Sequence, residues 1–170
     1  ILLKDNVGFD GLATTAGAFS LKDNLTDDSH IVKKLKENGA IILGKTNLSE
    51  WANYFCSGCP NGYSSMGGQT LNPYGRKKID TGGSSSGSGV ATASNLTAVS
   101  IGSETSGSIL SPASSNSLVG MKPTIGSVSR SGIIPISSTL DTAGPMTKFV
   151  VDNIIVMNAI MGYDNNDSSS

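Results

Sequence analysis

Two short segments built almost wholly of Gly, Ser and Thr constrain this chain most. They are Asp80-Thr-Gly-Gly-Ser-Ser-Ser-Gly-Ser-Gly89 and Gly102-Ser-Glu-Thr-Ser-Gly-Ser-Ile109. Between them runs Val90-Ala-Thr-Ala-Ser-Asn-Leu-Thr-Ala-Val99, which is small and apolar. A flexible Gly/Ser linker carries no such insert. The pattern predicts two loops held against one another, both presenting hydroxyls and amide N–H groups to a common point. Gly serves where the backbone bends sharply or approaches a ligand closely.

The rest of the chain reads as α/β. Asp27 to Asn38 is an amphipathic helix with Ile31, Val32 and Leu35 on one face. Asp27, Asp28 or Ser29 is placed to cap it, and Gly39 to end it. Ala40 to Leu43 has the composition of a buried strand, and residues 46–53 start a short helix. Tyr54 to Lys78 is irregular. A helix over Gly89 to Leu96, capped by Ser86 or Ser88, precedes a strand over Thr97 to Ile101. Pro112 suits the first turn of a helix within residues 111–120. Lys122 to Gly126 and Gly132 to Ile136 read as turn and edge-strand material, and Asp141 to Pro145 as a turn. Thr147 is placed to cap an apolar helix, Phe149 to Met161, with Val150, Ile154, Met157 and Met161 at helical spacing. Residues 1–6 resemble a strand opened in mid-domain, and residues 164–170 a polar loop. The chain therefore reads as an incomplete part of a larger domain.

Composition excludes several functions. A formal charge of -1 gives no attraction to nucleic acid or an anionic membrane. Apolar runs are too short to span a bilayer, and no signal-peptide pattern is present. Cys56 and Cys59 form Cys-x-x-Cys, but His30 is the only His, so no four-ligand zinc site can be completed. No metal or cofactor is expected.

A nucleophilic Ser needs a base and a donor pocket for the oxyanion. His30 sits in the first turn of its helix, where a solvated role is expected, so a Ser-His-Asp scheme has no base. Lys, Asp or Glu remain. Lys4 follows an apolar run at a strand end, where partial desolvation would lower its pKa and make it a base. The two Gly/Ser loops supply the hydroxyls, and the N–H groups of Thr105, Ser106, Gly107 and Ser108 a cradle for negative charge. A competing pattern is Gly39-Ala-Ile-Ile-Leu-Gly-Lys-Thr46, which matches the phosphate-binding string G-x-x-x-x-G-K-[ST]. Its context is inverted, because a helix precedes it and its middle residues favour burial.

Several ordered blocks then point one way. Ile1-Leu-Leu-Lys4-Asp-Asn, Gly39 to Glu50, Gly82-Gly-Ser-Ser-Ser-Gly-Ser88, Glu104-Thr-Ser-Gly-Ser-Ile109, Gly120-Met-Lys-Pro-Thr124 and Asp141-Thr-Ala-Gly-Pro145 resemble the amidase-signature family of Ser-Ser-Lys hydrolases. Ser49 to Asn53, Gly67 to Tyr74 and Ser129 to Ile136 look most like its peptide-amidase branch. The resemblance covers essentially the whole chain. It implies one domain with a mixed sheet flanked by helices, of which residues 1–170 are a core part. It implies a cofactor-free hydrolase that cleaves a carboxamide C–N bond through an acyl-enzyme. Lys4 matches the catalytic Lys, Ser84 the bridging Ser held in a cis peptide with Gly83, and Ser108 the nucleophile. The chain departs from many members in having Glu104 and Thr105-Ser106-Gly107 before the nucleophile. It also has Leu110 where many carry Arg, which weakens a free amino-acid substrate and the tRNA-dependent amidotransferase branch. The expected partner is a small-molecule or peptide amide, with no nucleic acid and no membrane. Neither the oligomeric state nor the compartment is given, although the cytoplasm is the default. The rival functions are a nucleotide-binding module using residues 39–46 and a non-catalytic amidase-like scaffold.

Overall fold

The computed structural model describes residues 1–170. Its strands and helices are, in chain order, β1 (Leu2–Lys4), α1 (His30–Glu37), β2 (Gly44–Thr46), β3 (Tyr63–Ser64), β4 (Gly68–Gln69), α2 (Ser86–Ala93), β5 (Val99–Glu104), α3 (Leu110–Ser115), β6 (Val119–Gly120), β7 (Thr142–Thr147) and α4 (Val150–Ile160). The main sheet has the order β2-β1-β5-β7-β6. β1 is parallel to β2 and β5, whereas β7 is antiparallel to β5 and β6. The mixed sheet flanked by helices agrees with expectation. β3 and β4 form a separate antiparallel hairpin.

Side chains alternate across a strand, and this alternation sorts the two faces. Leu3, Val99, Ile101 and Ala143 join Ile31, Val32 and Leu35 of α1 and Val156, Met157 and Ile160 of α4 in one apolar cluster. The neighbouring positions, Lys4, Ser100 and Gly102, turn to the face covered by α2. That second layer is built from hydroxyls. Ser88 Oγ donates to the Ile101 carbonyl at 3.0 Å, Ser100 Oγ to the Ser88 carbonyl at 2.8 Å, and Thr92 and Ser100 share a 2.8 Å bond. Buried hydroxyls are tolerated when they are bonded in this way.

Several elements depart from the sequence reading. α2 begins at Ser86 rather than Gly89, and β5 runs on to Glu104. The strand expected at 40–43 lies at 44–46, and Ile41 and Leu43 are exposed beside edge strand β2. Residues 50–53 form a tight turn in which Trp51, Ala52 and Asn53 all have positive φ. The expected turn at 141–145 is mostly strand. Pro145 is tolerated in β7 because it lies beyond the end of short β6, where its carbonyl accepts from Met121 N–H at 3.2 Å and no N–H is asked of it.

Helix ends differ as well. Ser29 caps α1 without a side-chain bond, while Asp28 instead accepts from Lys36 Nζ at 2.5 Å. Thr147 Oγ1 donates to the Phe149 carbonyl and caps no N–H. The buried stripe of α4 is Asn153, Val156, Met157 and Ile160; Val150, Ile154 and Met161 are exposed. Residues 164–170 are tied in by two carboxylates. Asp164 accepts from Ser129 Oγ at 2.6 Å and lies 3.3 Å from His30 Nδ1, so His30 is not simply solvated. Asp167 binds the Arg130 guanidinium through both oxygens.

Gly87 shows how tightly α2 is seated. A Cβ there would lie 2.3 Å from the Asn47 carbonyl oxygen. Alanine favours helix over glycine by about 1 kcal/mol, yet Gly87→Ala is expected to lower the unfolding free energy by about 1–3 kcal/mol, because the helix must lift off the 47–49 backbone. Urea titration of the variant against wild type checks the sign.

Candidate active site

Lys4 closes β1 on the α2 face, and its side chain is only 1% exposed. Its Nζ lies 2.7 Å from Ser84 Oγ and donates to the Ser103 carbonyl at 3.0 Å. Burial lowers its pKa to about 7, against the opposing pull of Glu104 and Asp141. Ser84 follows a cis Gly83–Ser84 peptide, at the position the resemblance gives for it. Its carbonyl accepts from Ser49 N–H at 3.0 Å.

The two Gly/Ser loops do meet. Ser85 Oγ donates to the Ser103 carbonyl at 3.1 Å and accepts from Ser103 N–H at 3.2 Å. Ser85 N–H donates to the Ser108 carbonyl at 3.1 Å, which ties the nucleophile candidate to the residue after Ser84. Lys4, Ser84 and Ser108 all line one cleft of about 270 Å³. The Ser84 and Ser108 hydroxyls make no hydrogen bond with each other.

Sequence reasoning noticed Glu104 only as a departure from a pattern. It is 3% exposed, and its carboxylate accepts from the N–H groups of Gly107 at 2.8 Å, Ile109 at 2.6 Å and Leu110 at 2.9 Å. The acid thus fills the inside of the turn that carries Ser108. This corrects the expected cradle at one position, because the Gly107 N–H points inward to Glu104. The N–H groups of Thr105, Ser106 and Ser108 make no hydrogen bond within the chain. Asp141, read as part of a turn, is a cleft residue that accepts from Thr105 Oγ1 at 2.5 Å.

The cleft walls were missed too. Leu48, Trp51, Ile133, Ile134, Pro135 and Ile136 supply an apolar lining. Arg130 also faces the cleft, and its guanidinium donates to Asp167, the Ser138 carbonyl and Ser169 Oγ. That pairing holds Asp167 well below the usual carboxylate range. Cys56 and Cys59 form a disulfide in the exposed loop beyond Trp51.

The string at 39–46 has no phosphate cradle. Gly39 and Ala40 N–H close the end of α1 on Lys36 and Leu35 carbonyls, and Leu43 N–H bonds to Ile1. Lys45 Nζ donates to the Ala13 carbonyl at 2.9 Å and to Thr14 Oγ1 at 2.8 Å, and lies 3.5 Å from Asp5.

The amidase family model matches residues 1–170. The chain belongs to the amidase family. It is 48% identical over 172 residues to a probable amidase of Arabidopsis thaliana, covering all of this chain and 33% of that protein. It is 43% identical over 171 residues to a subunit of the glutamyl-tRNA(Gln) amidotransferase of Methanococcoides burtonii, covering all of this chain and 35% of that protein. The X-ray structure of native peptide amidase from Stenotrophomonas maltophilia superimposes with a TM-score of 0.96 at 53% identity, over 99% of this chain and 34% of that one. The chain therefore spans about a third of the length of these amidase relatives.

Burial of Lys4 ties stability to pH. Its pKa is about 7 in the fold, against 10.5 when solvated. Between those values the unfolded chain holds a proton that the native chain lacks. Wild type therefore gains stability as pH rises through this window, by up to about 1.4 kcal/mol per pH unit. Lys4→Met has no such proton. It is expected to be the more stable of the two at pH 6 to 7, with the difference shrinking toward pH 10. Urea unfolding at several pH values tests this; a difference independent of pH would contradict it.

Proposed function

We propose that the protein hydrolyses a carboxamide C–N bond through an acyl-enzyme on Ser108, with Ser84 and Lys4 as its proton relay. Residues 1–170 form the core part of its catalytic domain. The observation that carries this reading is the 2.7 Å contact between a buried amine and Ser84 Oγ, in the cleft that Ser108 also lines.

When Lys4 is neutral, the Ser84 hydroxyl donates to the lone pair on Nζ. Ser108 Oγ attacks the amide carbon and passes its proton to Ser84 Oγ as Ser84 gives its own to Lys4. Substrate closes the remaining gap, since catalytic hydrogen bonds often tighten only in the complex. The carbonyl oxygen, now negative, is held by the N–H groups of Thr105, Ser106 and Ser108, which have no other acceptor. Collapse breaks the C–N bond, and the proton on Lys4 returns through Ser84 to the departing nitrogen. Ammonia or an amine leaves. Water then attacks the Ser108 ester over the same relay, releasing the acid and restoring both serines.

Similarity to the Stenotrophomonas peptide amidase favours a peptide amide as substrate, and the apolar cleft wall suits its side chains. A substrate that carries a free amino-acid carboxylate is disfavoured, because Arg130 is paired with Asp167 and Leu110 offers no charge for it. No observation favours nucleotide binding.

In the full-length protein, a fluorophosphonate probe is expected to label Ser108, read by peptide mass spectrometry. Ser108→Ala and Lys4→Ala are each expected to cut kcat by roughly 10³-fold or more. Because Lys4 acts as the neutral base, kcat/KM should rise with pH through about 7. Undiminished turnover by folded Lys4→Ala overturns the reading.

A further inference from the structure

We infer that Asp141 is a positioning residue for this chemistry: its carboxylate braces the Ser108 turn against the apolar wall of the cleft. The inference rests on the Ser-Ser-Lys reading above and adds a residue to it.

Asp141 stands immediately before β7 and lines the cleft. Its two oxygens serve two different segments. Oδ1 accepts from Thr105 Oγ1 at 2.5 Å, at the start of the turn that carries Ser108. Oδ2 accepts from the N–H groups of Ile136 and Ser137 at 2.7 and 2.9 Å. Those two residues end the wall formed by Ile133, Ile134, Pro135 and Ile136. One carboxylate therefore joins the loop that presents the nucleophile to the surface that receives the substrate. Thr105 is also the first of the three N–H donors left free for an oxyanion. Its orientation is fixed through its own side chain, because neither β5 nor β7 bonds its amide.

The arrangement has a division of labour. Glu104 fills the inside of the same turn, bonding Gly107, Ile109 and Leu110. It fixes the shape of the turn. Asp141 fixes where the turn sits relative to the wall. A wall that drifted from the turn would still bind substrate, but the carbonyl would miss its donors. Such a fault lowers kcat more than it raises KM.

Charge supplies the second arm. The amine of Lys4 meets Ser84 from the 82–85 turn and the Ser103 carbonyl from β5. The acids acting on it are Glu104, at the end of β5, and Asp141, before β7; both raise its pKa against the effect of burial. Arg130 and Asp167 also line the cleft, but they neutralise each other. Removing the charge of Asp141 thus favours neutral Lys4. The acid limb of kcat/KM must then move to lower pH.

The test uses the full-length protein with a C-terminally amidated peptide as probe. Asp141→Asn is expected to lower kcat about tenfold with KM little changed, and to move the acid limb down by about half a pH unit or more. Thr105→Val removes the hydroxyl that reaches Asp141 without altering charge. It is expected to reproduce the kcat loss with the acid limb in place, and Thr105→Ser to restore wild-type kcat. These two variants keep the question open to test should Asp141→Asn fail to fold. An acid limb unmoved in folded Asp141→Asn, or wild-type kcat in Thr105→Val, overturns the inference. Lys4→Ala, run alongside, separates the two levels. If Lys4→Ala is active, the relay itself is wrong; if it is inactive while both other variants behave as wild type, only the role of Asp141 falls.

Discussion

A lysine amine cannot be taken out of water as a cation without a large penalty unless it is paired, and this chain takes Lys4 to 1% exposure with no carboxylate in direct contact. Its partners are a hydroxyl and a carbonyl oxygen. The nearest acids act only through space. Burial therefore brings its pKa down to about 7. Parallel pairing of β1 with β2 and β5 makes this possible, because it holds a rigid backbone under the amine. Strand alternation then sends Leu3 into the apolar core and Lys4 to the other side.

The opposite side has to come close, and small residues allow it. A Cβ on Gly102 would lie 2.9 Å from Ser85 Oγ, and one on Gly83 would lie 2.5 Å from Asn61 Oδ1. The layer between α2 and the sheet is held by hydroxyl-to-carbonyl bonds rather than by Leu or Ile packing. Larger side chains would separate the two Gly/Ser loops and draw Ser84 away from the amine. The unusual composition of residues 80–109 is the sequence trace of that distance requirement.

This explains which features the sequence displayed. The two loops and helix α1 were legible because each rests on a local pattern, Gly/Ser density or 3.6-residue periodicity, and Lys4 stood out because an apolar run ends on it; Ser84 and Ser108 were picked out of their loops only by the family resemblance. β7 was not. Gly144 and Pro145 look like a turn when taken alone, and only the position of β6 makes Pro145 acceptable. The buried stripe of α4 was also hidden, because its apolar residues lie all round the helix and a polar one, Asn153, is on the buried side. Glu104 and Asp141 escaped for a third reason. Their work is done on backbone N–H groups three to six residues away, and nothing in residue identity marks such a bond.

The acids of the cleft follow a single rule. Glu104 is engaged by three amides of the Ser108 turn, Asp141 by Thr105 and two amides of the wall, and Asp167 by Arg130. All three line the cleft, and each spends its oxygens on donors of the chain itself. Of the two basic groups in the cleft, Arg130 is paired with Asp167, whereas Lys4 touches only a hydroxyl and a carbonyl oxygen. The same bonds that freeze the acids leave three amides of the turn unengaged. Residue types divide the cleft: carboxylates hold the backbone, and in the proposed relay the amine and two hydroxyls move protons.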